Sequence, residues 1–578
     1  MREIPVAATG LLRSFCEAGW LGLIDFHLAR RLGGLGGEAD PQVLLAFALA
    51  ARELRLGSVC VDLATAATEL RPESDEEDST AELAVELPWP EPEAWVKAVA
   101  ASPATASTDS AEGRPFRLDG TLLYLDRYWR QERRLSHILR QRSTLPALSD
   151  LTAAPAAPPR EDGTVRETDE HQNAAVLAAL NHLTTVITGG PGTGKTTIVA
   201  RILNALAEHQ PRVALVAPTG KAAARLQQAV RADVGQLNKV WGGTIHKLLG
   251  ARPRSAELEH HAQNPVPFDV VVVDETSMVS LELMTALLEA ISPETRLIML
   301  GDPHQLRSVE AGAVLADIER ADDLVQGPGG AIVRLQHNYR SKQSINDLAE
   351  AILTGDADGA RQIIESSEAL RFVEFTGASE PATLPEVRQG CLDAATRVQA
   401  AALKGLGTVA NRALEQHRIL CAHREGPFGV GQWARSVRTW LGTQLPHYGF
   451  DTRPYPGQPL LIQRNTDLFS NGDTAVVVAD AEGGLTAVVD LPEGPLQVAP
   501  SLLDDATDLH AMTIHKSQGS QFAAVSVVLP PPGSPLLTRE LLYTAVTRAQ
   551  DSVTLYGSWD ALATAVATPA RRASGLAR

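Results

Sequence analysis

A short glycine-rich segment constrains the fold of this chain more than any other feature of its sequence. Residues 189–197 read GGPGTGKTT and lie between an apolar strand pattern, TTVIT, and a helical pattern, TIVARILNAL. A glycine-rich turn from a strand into a helix directs successive backbone N–H groups toward phosphate oxygens at the helix N-terminus. The segment therefore predicts a phosphate-binding loop inside an α/β domain.

The chemistry of such a loop assigns roles to individual residues. Lys195 is predicted to bridge the outer phosphates of a nucleotide, and the Thr196 hydroxyl to bind Mg²⁺. After a buried strand pattern, Asp274 is predicted to hold the same Mg²⁺ and Glu275 to position or deprotonate the attacking water. The nucleotide-binding residues predicted in the loop are Gly189, Gly190, Pro191, Gly192, Thr193, Gly194, Lys195, Thr196 and Thr197.

Short apolar runs alternate with helical patterns around this loop. The runs TTVITGG, RVALVAPTG, DVVVVDE and RLIMLGD are typical of strands, and VVVV is apolar on both faces. Strands of that kind belong to a parallel sheet that helices cover on both sides. A weaker repeat of the same style from about residue 335 onward predicts a second α/β domain.

A phosphate loop alone leaves kinases, GTPases and motors open, so the remaining strings must decide. In LGDPHQL, Gln305 follows a strand and could sense the terminal phosphate. In LQHNYRS, Arg340 could stabilise charge and Tyr339 could stack on a base, and in LLYTAVTRAQ, Arg548 offers a second cation. Two arginines so far along the chain from the loop predict a site between two domains, with hydrolysis coupled to their closure.

The net charge of -17 argues by itself against a polyanionic partner. Its distribution weakens that argument, because residues 69–93 carry ten acidic residues and one arginine, in a Pro-containing stretch typical of a solvated loop. The chain has only eight Lys, and four of them fall inside the motif strings: Lys195, Lys221, Lys247 and Lys516. A narrow favourable track for a polyanion is therefore compatible with the composition.

Cysteine usage and the N-terminal pattern bear on location. The four Cys are scattered, with no CxxC pair, which indicates a reduced protein with buried thiols. The first residues lack an uninterrupted apolar core, and the apolar run at residues 43–51 is too short to span a bilayer. We expect a cytoplasmic protein that makes no membrane contact.

The order of the motif strings makes a family resemblance specific. GGPGTGKTT, APTGKAAARL, TIHKLLG, VVVDETSM, LGDPHQL, NYRS, TIHKSQGSQF and YTAVTRAQ follow one another between residues 172 and 550. This string resembles the RecD family of superfamily 1 DNA helicases, the alpha subunits of the RecBCD enzyme (exodeoxyribonuclease V). The N-terminal strings DPQVLLAFALA, GSVCVDL and LYLDRYWRQE are similar to that family as well.

The resemblance implies roles for matching residues, with ATP and Mg²⁺ as cofactors. Gln172 would read the adenine edge, Tyr339 would stack on the base, and Arg340 and Arg548 would reach the γ-phosphate. Gln521 stands where the family commonly has an acidic residue and keeps an acceptor for a ribose hydroxyl without the charge. The residues implied to contact single-stranded DNA are Thr219, Gly220, Thr244, His246, Thr513 and His515. Thr244 and His246 could instead only cap or pack the turn that they occupy.

The resemblance also implies an organisation: two RecA-like phosphate-loop NTPase domains with parallel sheets, an α-rich N-terminal domain and a small SH3-like β insert. We expect the following units: an N-terminal partner-docking domain at 1–110, a connector and Pro/Ala linker at 111–165, RecA-like domain 1 at 166–345 with a hairpin insert at about 250–268, and RecA-like domain 2 at 346–578 with the SH3-like insert at about 425–510.

The function implied is that of a 5′-to-3′ ATP-driven DNA motor. It would act on single-stranded DNA and duplex ends in double-strand-break repair and recombination, in a heterotrimer with RecB-like and RecC-like subunits. None of the eight Lys has an acidic residue two positions before it, as a nuclease Glu-x-Lys pattern needs, so a nuclease site would belong to a partner. Two alternatives stay open: a stand-alone RecD-like helicase, and a structural subunit whose ATPase only regulates assembly.

Overall fold

The structure of the chain is a computed structural model. It describes residues 3–71, 87–110, 113–156, 169–234, 239–252, 255, 257–449, 454–466, 468–480, 482–491 and 494–578. Residues 72–86 of the predicted acidic loop and residues 157–165 of the predicted connector and linker lie outside the described residues.

Helices and strands alternate through most of the described chain. The helices are α1 (Gly10–Glu17), α2 (Leu23–Gly36), α3 (Pro41–Arg55), α4 (Ala66–Glu69), α5 (Pro92–Ala101), α6 (Asp126–Ser143), α7 (Glu170–Asn181), α8 (Lys195–Leu206), α9 (Gly220–Asp233), α10 (Ile245–Leu248), α11 (Leu281–Ala290), α12 (Val314–Arg320), α13 (Gln343–Thr354), α14 (Ala357–Ser366), α15 (Pro385–Ala402), α16 (Gly407–Leu414), α17 (Val430–Gln444), α18 (Arg539–Val546) and α19 (Trp559–Ala567). The strands are β1 (Cys60–Asp62), β2 (Thr105–Ser107), β3 (Phe116–Asp119), β4 (Leu122–Leu125), β5 (Thr184–Thr188), β6 (Val213–Ala217), β7 (Val240–Thr244), β8 (Val270–Val273), β9 (Arg296–Gly301), β10 (Gly330–Arg334), β11 (Leu370–Glu374), β12 (His417–Cys421), β13 (Pro459–Leu461), β14 (Thr474–Ala479), β15 (Leu485–Val489), β16 (Leu496–Val498), β17 (Thr507–Asp508), β18 (Met512–Thr513), β19 (Phe522–Val528) and β20 (Ala549–Gly557).

The first α/β domain is built on a sheet in the order β10-β5-β9-β8-β6-β7, with all neighbours parallel. Alternate residues of a strand face opposite sides of its sheet. Along β8, Val271 and Val273 therefore join a core with α10, α11 and α12, whereas Val270 and Val272 join one with α7, α8 and α9. The predicted parallel sheet with helices on both faces is confirmed.

The second α/β domain repeats this architecture. Its sheet runs β11-β20-β19-β12-β18, again with parallel neighbours. In β12, Leu420 packs into the core that contains α13, α14, α18 and α19, while Ile419 and Cys421 pack toward α15 and α17. The predicted second domain with a parallel sheet is likewise confirmed.

A separate antiparallel sheet is inserted between β12 and β18, which are neighbours in the second domain. Its order is β16-β15-β14-β13-β17. Val476 and Val488 pack one face of this sheet on α15 and α16, and Val477 and Val489 lie in a core on the other face. The sheet spans residues 459–508, so it is shorter than the predicted insert at 425–510, because α17 packs on the second domain itself. Its SH3-like character stays a prediction.

The N-terminal region combines α1 to α5 with a small sheet in the order β1-β4-β3-β2. Its core includes Phe47 stacked on Phe116, with ring centroids 3.8 Å apart. Strands β2 and β3 pair in parallel across residue 110. The predicted boundary at 110 therefore falls within one sheet, because residues 113–125 supply two of its strands rather than a connector.

Helix α6 joins this region to the first α/β domain. Leu135 and Leu139 of α6 are buried in the core that also contains α11 and α12. On the surface of the same helix, Arg134 Nε lies 2.8 Å from Glu289 Oε1 of α11. The region predicted as connector thus contributes core side chains to the motor domain.

The C-terminal segment after α19 returns to the N-terminal region. The backbone N–H of Val59 donates to the carbonyl of Ala573 at 2.8 Å, and Ser574 Oγ donates to Glu132 Oε1 on α6 at 2.6 Å. Leu576 is buried among the residues packed around α6. The second domain is thereby tied to the N-terminal region by its last residues.

All four cysteines are buried thiols without a disulfide. Across the described ranges, no helix combines the length and the apolar character that a membrane crossing needs.

Candidate functional site

The phosphate loop connects β5 to α8 as predicted. Gly192 and Gly194 adopt φ angles of +82° and +85°, a region that favours glycine. Lys195 Nζ, in the first turn of α8, donates to the carbonyl oxygens of Gly189 and Gly190 at 2.6 and 2.9 Å. The lysine thus lies against the loop that it is predicted to serve.

Two carboxylates follow β8 at the same edge of the sheet. Asp274 is tied to β6 by its backbone N–H, which donates to Val216 O at 2.8 Å, and its Oδ1 accepts from the N–H of Glu275 at 2.9 Å. Burial and the neighbouring charge of Glu275 raise the pKa of Asp274 to about 6, while Lys195 opposes the rise. Glu275 has φ +51°, a strained value for a residue with a Cβ and one often found at functional sites.

The segment after β9 connects the two α/β domains. Gln305 and Asp302 are buried, and Gln305 Nε2 donates to Asp302 Oδ2 at 2.9 Å. The same carboxylate oxygen accepts from the Tyr543 hydroxyl of α18 at 3.0 Å. Leu306 extends the contact, because its N–H donates to Thr544 Oγ1 at 2.9 Å and its carbonyl accepts from Gln518 Nε2 at 2.7 Å. Gln305 therefore sits at a direct contact between domains.

Arg548 of the second domain is buried and only partly satisfied. Its Nε donates to Thr544 O at 3.0 Å and its Nη1 to Ser520 O at 3.3 Å. Its Nη2 is buried with no hydrogen-bond partner among the described residues. Burial lowers the pKa of Arg548, and the charges of Glu275 and Asp302 from the first domain oppose that shift. The guanidinium consequently lies close enough to both domains to serve a site between them.

Arg340 contacts Gln521, which follows the Ser520 that Arg548 binds. Arg340 Nη1 donates to Gln521 Oε1, and Gln550 Nε2 donates to the same oxygen at 3.3 Å. From α9 in the first domain, Arg225 Nη1 donates to Gly519 O at 2.8 Å. The acceptor that the sequence assigned to a ribose is used here to hold Arg340.

The two residues predicted to bind adenine lie on either side of the loop. Gln172 is 4% exposed, and its Nε2 donates to Thr193 O at 3.1 Å. Tyr339 is 48% exposed, and its backbone N–H donates to Gly192 O at 3.0 Å. A cleft of about 560 Å³ adjoins the loop between the domains, with Pro191 and Asn338 among its lining residues.

The three threonines predicted to contact DNA all lie at the carboxyl ends of strands or just beyond them. Thr219 Oγ1 accepts from Ala222 N at 3.3 Å, and Thr244 Oγ1 accepts from Lys247 N at 3.2 Å. In the second domain, Thr513 Oγ1 accepts from Lys516 N at 3.3 Å. Each hydroxyl therefore caps the turn that it begins.

The inserted sheet contacts some of the segments that carry the predicted DNA-binding residues. A Cβ on Gly220 would come within 2.2 Å of Ser470 Oγ, so the loop before β14 closely approaches the start of α9. Lys516 Nζ donates to Gln463 of the insert. His246 is exposed, whereas burial and the nearby charges of Arg572 and Arg424 lower the pKa of His515. The insert contacts motif segments of both α/β domains.

Four of the predicted ATP-site residues lie near one another, because the charges of Lys195 and Glu275 act on Asp274 and that of Glu275 acts on Arg548. The roles of individual residues stay predictions. Sequence reasoning did not single out Asp169, Tyr543 or Arg225, whose side chains make the contacts between segments. Tyr543 and Arg225 lie within the motif strings, and Asp169 had the weaker signal of a helix N-cap.

Family models match three parts of the chain. They are described as an AAA domain at residues 172–311, the N-terminal domain of RecBCD enzyme subunit RecD at residues 17–124, and a UvrD-like helicase C-terminal domain at residues 508–556.

Two RecD subunits among the curated relatives match nearly the whole chain, and a RecD2 helicase matches three quarters of it. RecBCD enzyme subunit RecD of Mycobacterium tuberculosis is 44% identical over 592 residues, covering 99% of this chain and 97% of the relative. The RecD subunit of Mycolicibacterium smegmatis is 44% identical over 598 residues, covering 98% of each. The ATP-dependent RecD2 DNA helicase of Deinococcus radiodurans is 29% identical over 449 residues, covering 75% of this chain and 55% of that protein.

Proposed function

The chain belongs to the RecD family of RecBCD enzyme subunits, and on this premise we propose that it is an ATP-dependent 5′-to-3′ single-stranded-DNA translocase and helicase. It would be the motor subunit of a RecBCD-type helicase–nuclease that acts on duplex ends in double-strand-break repair and recombination. The observation that carries the proposal is that the phosphate loop lies beside the second α/β domain. A Cβ on Gly190 would come within 3.1 Å of the Tyr543 hydroxyl, and Arg548 of that domain has a buried Nη2 with no partner among the described residues.

Residues 189–197 would bind the phosphates of ATP, and Thr196 and Asp274 would hold Mg²⁺. The donor set fits a divalent cation, because Asp274 and Glu275 are adjacent carboxylates whose mutual repulsion a bound cation would relieve. Hard cations such as Mg²⁺ prefer carboxylate and hydroxyl oxygens. Bound Mg²⁺ would neutralise charge on the phosphates.

Hydrolysis would depend on groups of this chain from both domains. Glu275 would orient the attacking water and accept its proton, and Lys195 would exchange its two loop carbonyls for phosphate oxygens. Arg340 and Arg548 would stabilise the charge that develops on the γ-phosphate. Gln305 shares Asp302 with Tyr543 of the second domain, so it would report the state of the phosphate to that domain.

DNA would bind along the strand ends that carry Thr219, Gly220, Thr244, His246, Thr513 and His515. Hydroxyls and glycine N–H groups there would contact phosphates and sugars, which gives binding without sequence preference, as a translocating motor requires. Because the insert contacts Gly220 and Lys516, it would cover the single-stranded DNA bound along these residues.

Activity is tested by single-stranded-DNA-stimulated ATPase of the parent, Lys195→Gln and Lys404→Gln. Lys404 is exposed and lies at the end of α15, so its substitution is a matched control for the loss of one lysine charge. We expect DNA-stimulated hydrolysis in the parent and in Lys404→Gln, and a loss of about 100-fold or more in Lys195→Gln. Hydrolysis that survives in Lys195→Gln would contradict the assigned site.

The similarity to a RecD2 helicase supports one alternative, a stand-alone helicase. Co-expression with RecB-like and RecC-like subunits separates the two. Co-purification of a stoichiometric heterotrimer supports the subunit, whereas unwinding by the free chain with no association supports the stand-alone enzyme. A regulatory ATPase subunit would hydrolyse ATP in the complex without contributing to unwinding.

A further inference from the structure

Asp169 stands immediately before α7 and uses both oxygens of its carboxylate. Oδ1 accepts from the backbone N–H of Gln172 at 2.6 Å, which caps the helix. Oδ2 accepts from the hydroxyl of Tyr339 at 2.6 Å, across a separation of 170 residues in the chain. One side chain therefore contacts both residues that the family resemblance assigns to adenine.

The Tyr339 ring is held from three directions. Its hydroxyl is bound by Asp169, its backbone N–H donates to Gly192 O of the phosphate loop at 3.0 Å, and the His337 ring meets it edge-on at 4.4 Å between centroids. The ring is still 48% exposed. A tyrosine fixed at both ends with open surface is suited to stacking on a planar ligand.

Gln172 is positioned by the same carboxylate through the first turn of α7. Its side chain is buried and bound to Thr193 O of the loop, so a shift of that turn would move both the amide and the loop. Although partial burial by itself raises the pKa of Asp169, the hydrogen bonds from Tyr339 and Gln172 outweigh it and lower the pKa below its ordinary value. The carboxylate is ionised at neutral pH, which strengthens both bonds.

We propose that Asp169 is a positioning residue for adenine, which sets the distance between the Gln172 amide and the Tyr339 ring and so determines affinity and preference for the base. This role rests on the proposed function. Its physical basis is pre-organisation, because a ring already held in its binding orientation loses less freedom when the nucleotide binds.

Asp169→Ser separates this role from helix capping. Serine is among the preferred N-cap residues, so it can still accept from the N–H of Gln172, but its short side chain does not reach the Tyr339 hydroxyl. Tyr339→Phe removes the same bond from the other side and keeps the ring. Asp169→Ala removes both the cap and the bond. The double variant Asp169→Ser/Tyr339→Phe completes the cycle.

The readouts are KM and kcat for ATP in the DNA-stimulated reaction, and the ratio of kcat/KM for ATP to that for GTP. We expect Asp169→Ser and Tyr339→Phe each to raise KM by about 3- to 10-fold, with kcat changed by less than about twofold and a lower preference for ATP. The double variant should match the single ones, because all three lose one and the same bond.

Two results would overturn the role of Asp169: an unchanged KM in Asp169→Ser alongside a raised KM in Asp169→Ala, or single effects that multiply in the double variant. Equilibrium titration with a fluorescent ATP analogue repeats the comparison without hydrolysis. A parent that binds the analogue but does not hydrolyse ATP would contradict the proposed function, while equal analogue affinity in the parent and Asp169→Ser would contradict this inference alone.

Discussion

At the scale of single residues, two groups of the proposed ATP site, Arg548 and Glu275, are held at an energetic cost. Arg548 buries a guanidinium with one nitrogen that has no partner within the described part of the chain. Glu275 holds a strained backbone angle of +51°. Such costs persist where the surrounding fold enforces them and a ligand offsets them.

Arg548→Lys is expected to lower kcat for ATP by about 100-fold while changing KM by less than about threefold. Lysine retains a positive charge, but its single nitrogen cannot replace the three separate guanidinium nitrogens, of which Nε and Nη1 bond to Thr544 O and Ser520 O and Nη2 has no partner among the described residues. Steady-state ATPase measurements test this, with Arg539→Lys as a control, since Arg539 also donates to backbone carbonyls but lies at the far end of α18. Equal loss in both variants would point to folding rather than catalysis.

Much of the ATP site could be predicted from the sequence, because its residues sit in short strings whose chemistry is local: a loop, a strand end, a helix start. What could not be predicted are contacts such as Tyr339 to Asp169 or Tyr543 to Asp302, which join residues 170 and 241 positions apart. No local pattern encodes them, since they exist only once segments far apart in the chain have packed together.

At the scale of elements, α6 has two roles that its Arg-rich sequence did not reveal. It fills the core of the first α/β domain and carries Glu132, which holds the C-terminal segment. Residues 111–165 were predicted to be a connector because charged residues and proline dominate their sequence. In the structure, the narrow apolar stripe of α6 that contains Leu135 and Leu139 is buried in the core of the first α/β domain.

Glu132 predicts a pH dependence of stability. Burial raises its pKa to about 7 from an ordinary 4.5, against hydrogen bonds from Ser574, Tyr124 and Gly575. Between these two values the folded state keeps a proton that the unfolded chain has lost, so stability falls as pH rises from 4.5 to about 7. The free energy of unfolding of Glu132→Gln should therefore be higher than that of the parent by up to roughly 3 kcal/mol at pH 8, and the two should be about equal near pH 5.

Denaturant unfolding of both proteins at the two pH values measures this difference. Asp317 also has a raised pKa from burial, so part of the pH dependence should persist in Glu132→Gln. A variant that is less stable than the parent at pH 8 would contradict the expected sign.

The acidic segment offers a second prediction at this scale. Residues 72–86 lie outside the described residues, but the flanks are packed: Trp89 meets Phe15 with ring centroids 4.7 Å apart and Trp20 at 5.0 Å. Replacement of 72–86 alone by a short Gly/Ser linker should leave DNA-stimulated kcat within about twofold of the parent, as expected for a solvated segment. A large loss of ATPase would show that the segment acts on the motor.

At the scale of the whole molecule, the net charge is a poor guide to where a polyanion could bind. The sum of -17 describes the entire surface, whereas Arg225, Arg340 and Arg548 all donate to residues 519–521 of the second domain. The C-terminal segment links the second domain to α6 and the N-terminal region. The contacts around Gln305 link the first domain to the second. Nucleotide-driven changes between the two α/β domains would therefore reach the rest of the molecule.

The most direct test of a 5′-to-3′ DNA motor is strand displacement on duplexes with only a 5′ or only a 3′ single-stranded overhang. The parent is assayed alone and with its RecB-like and RecC-like partners, and Lys195→Gln shows what depends on the ATP site of this chain. Complexes with the partners are prepared with the parent chain and with Lys195→Gln. The unwinding rate of the Lys195→Gln complex is subtracted from that of the parent complex, which removes unwinding by the other subunits. We predict that Lys195-dependent unwinding requires the 5′ overhang, and Lys195-dependent unwinding from the 3′ overhang alone would contradict the account.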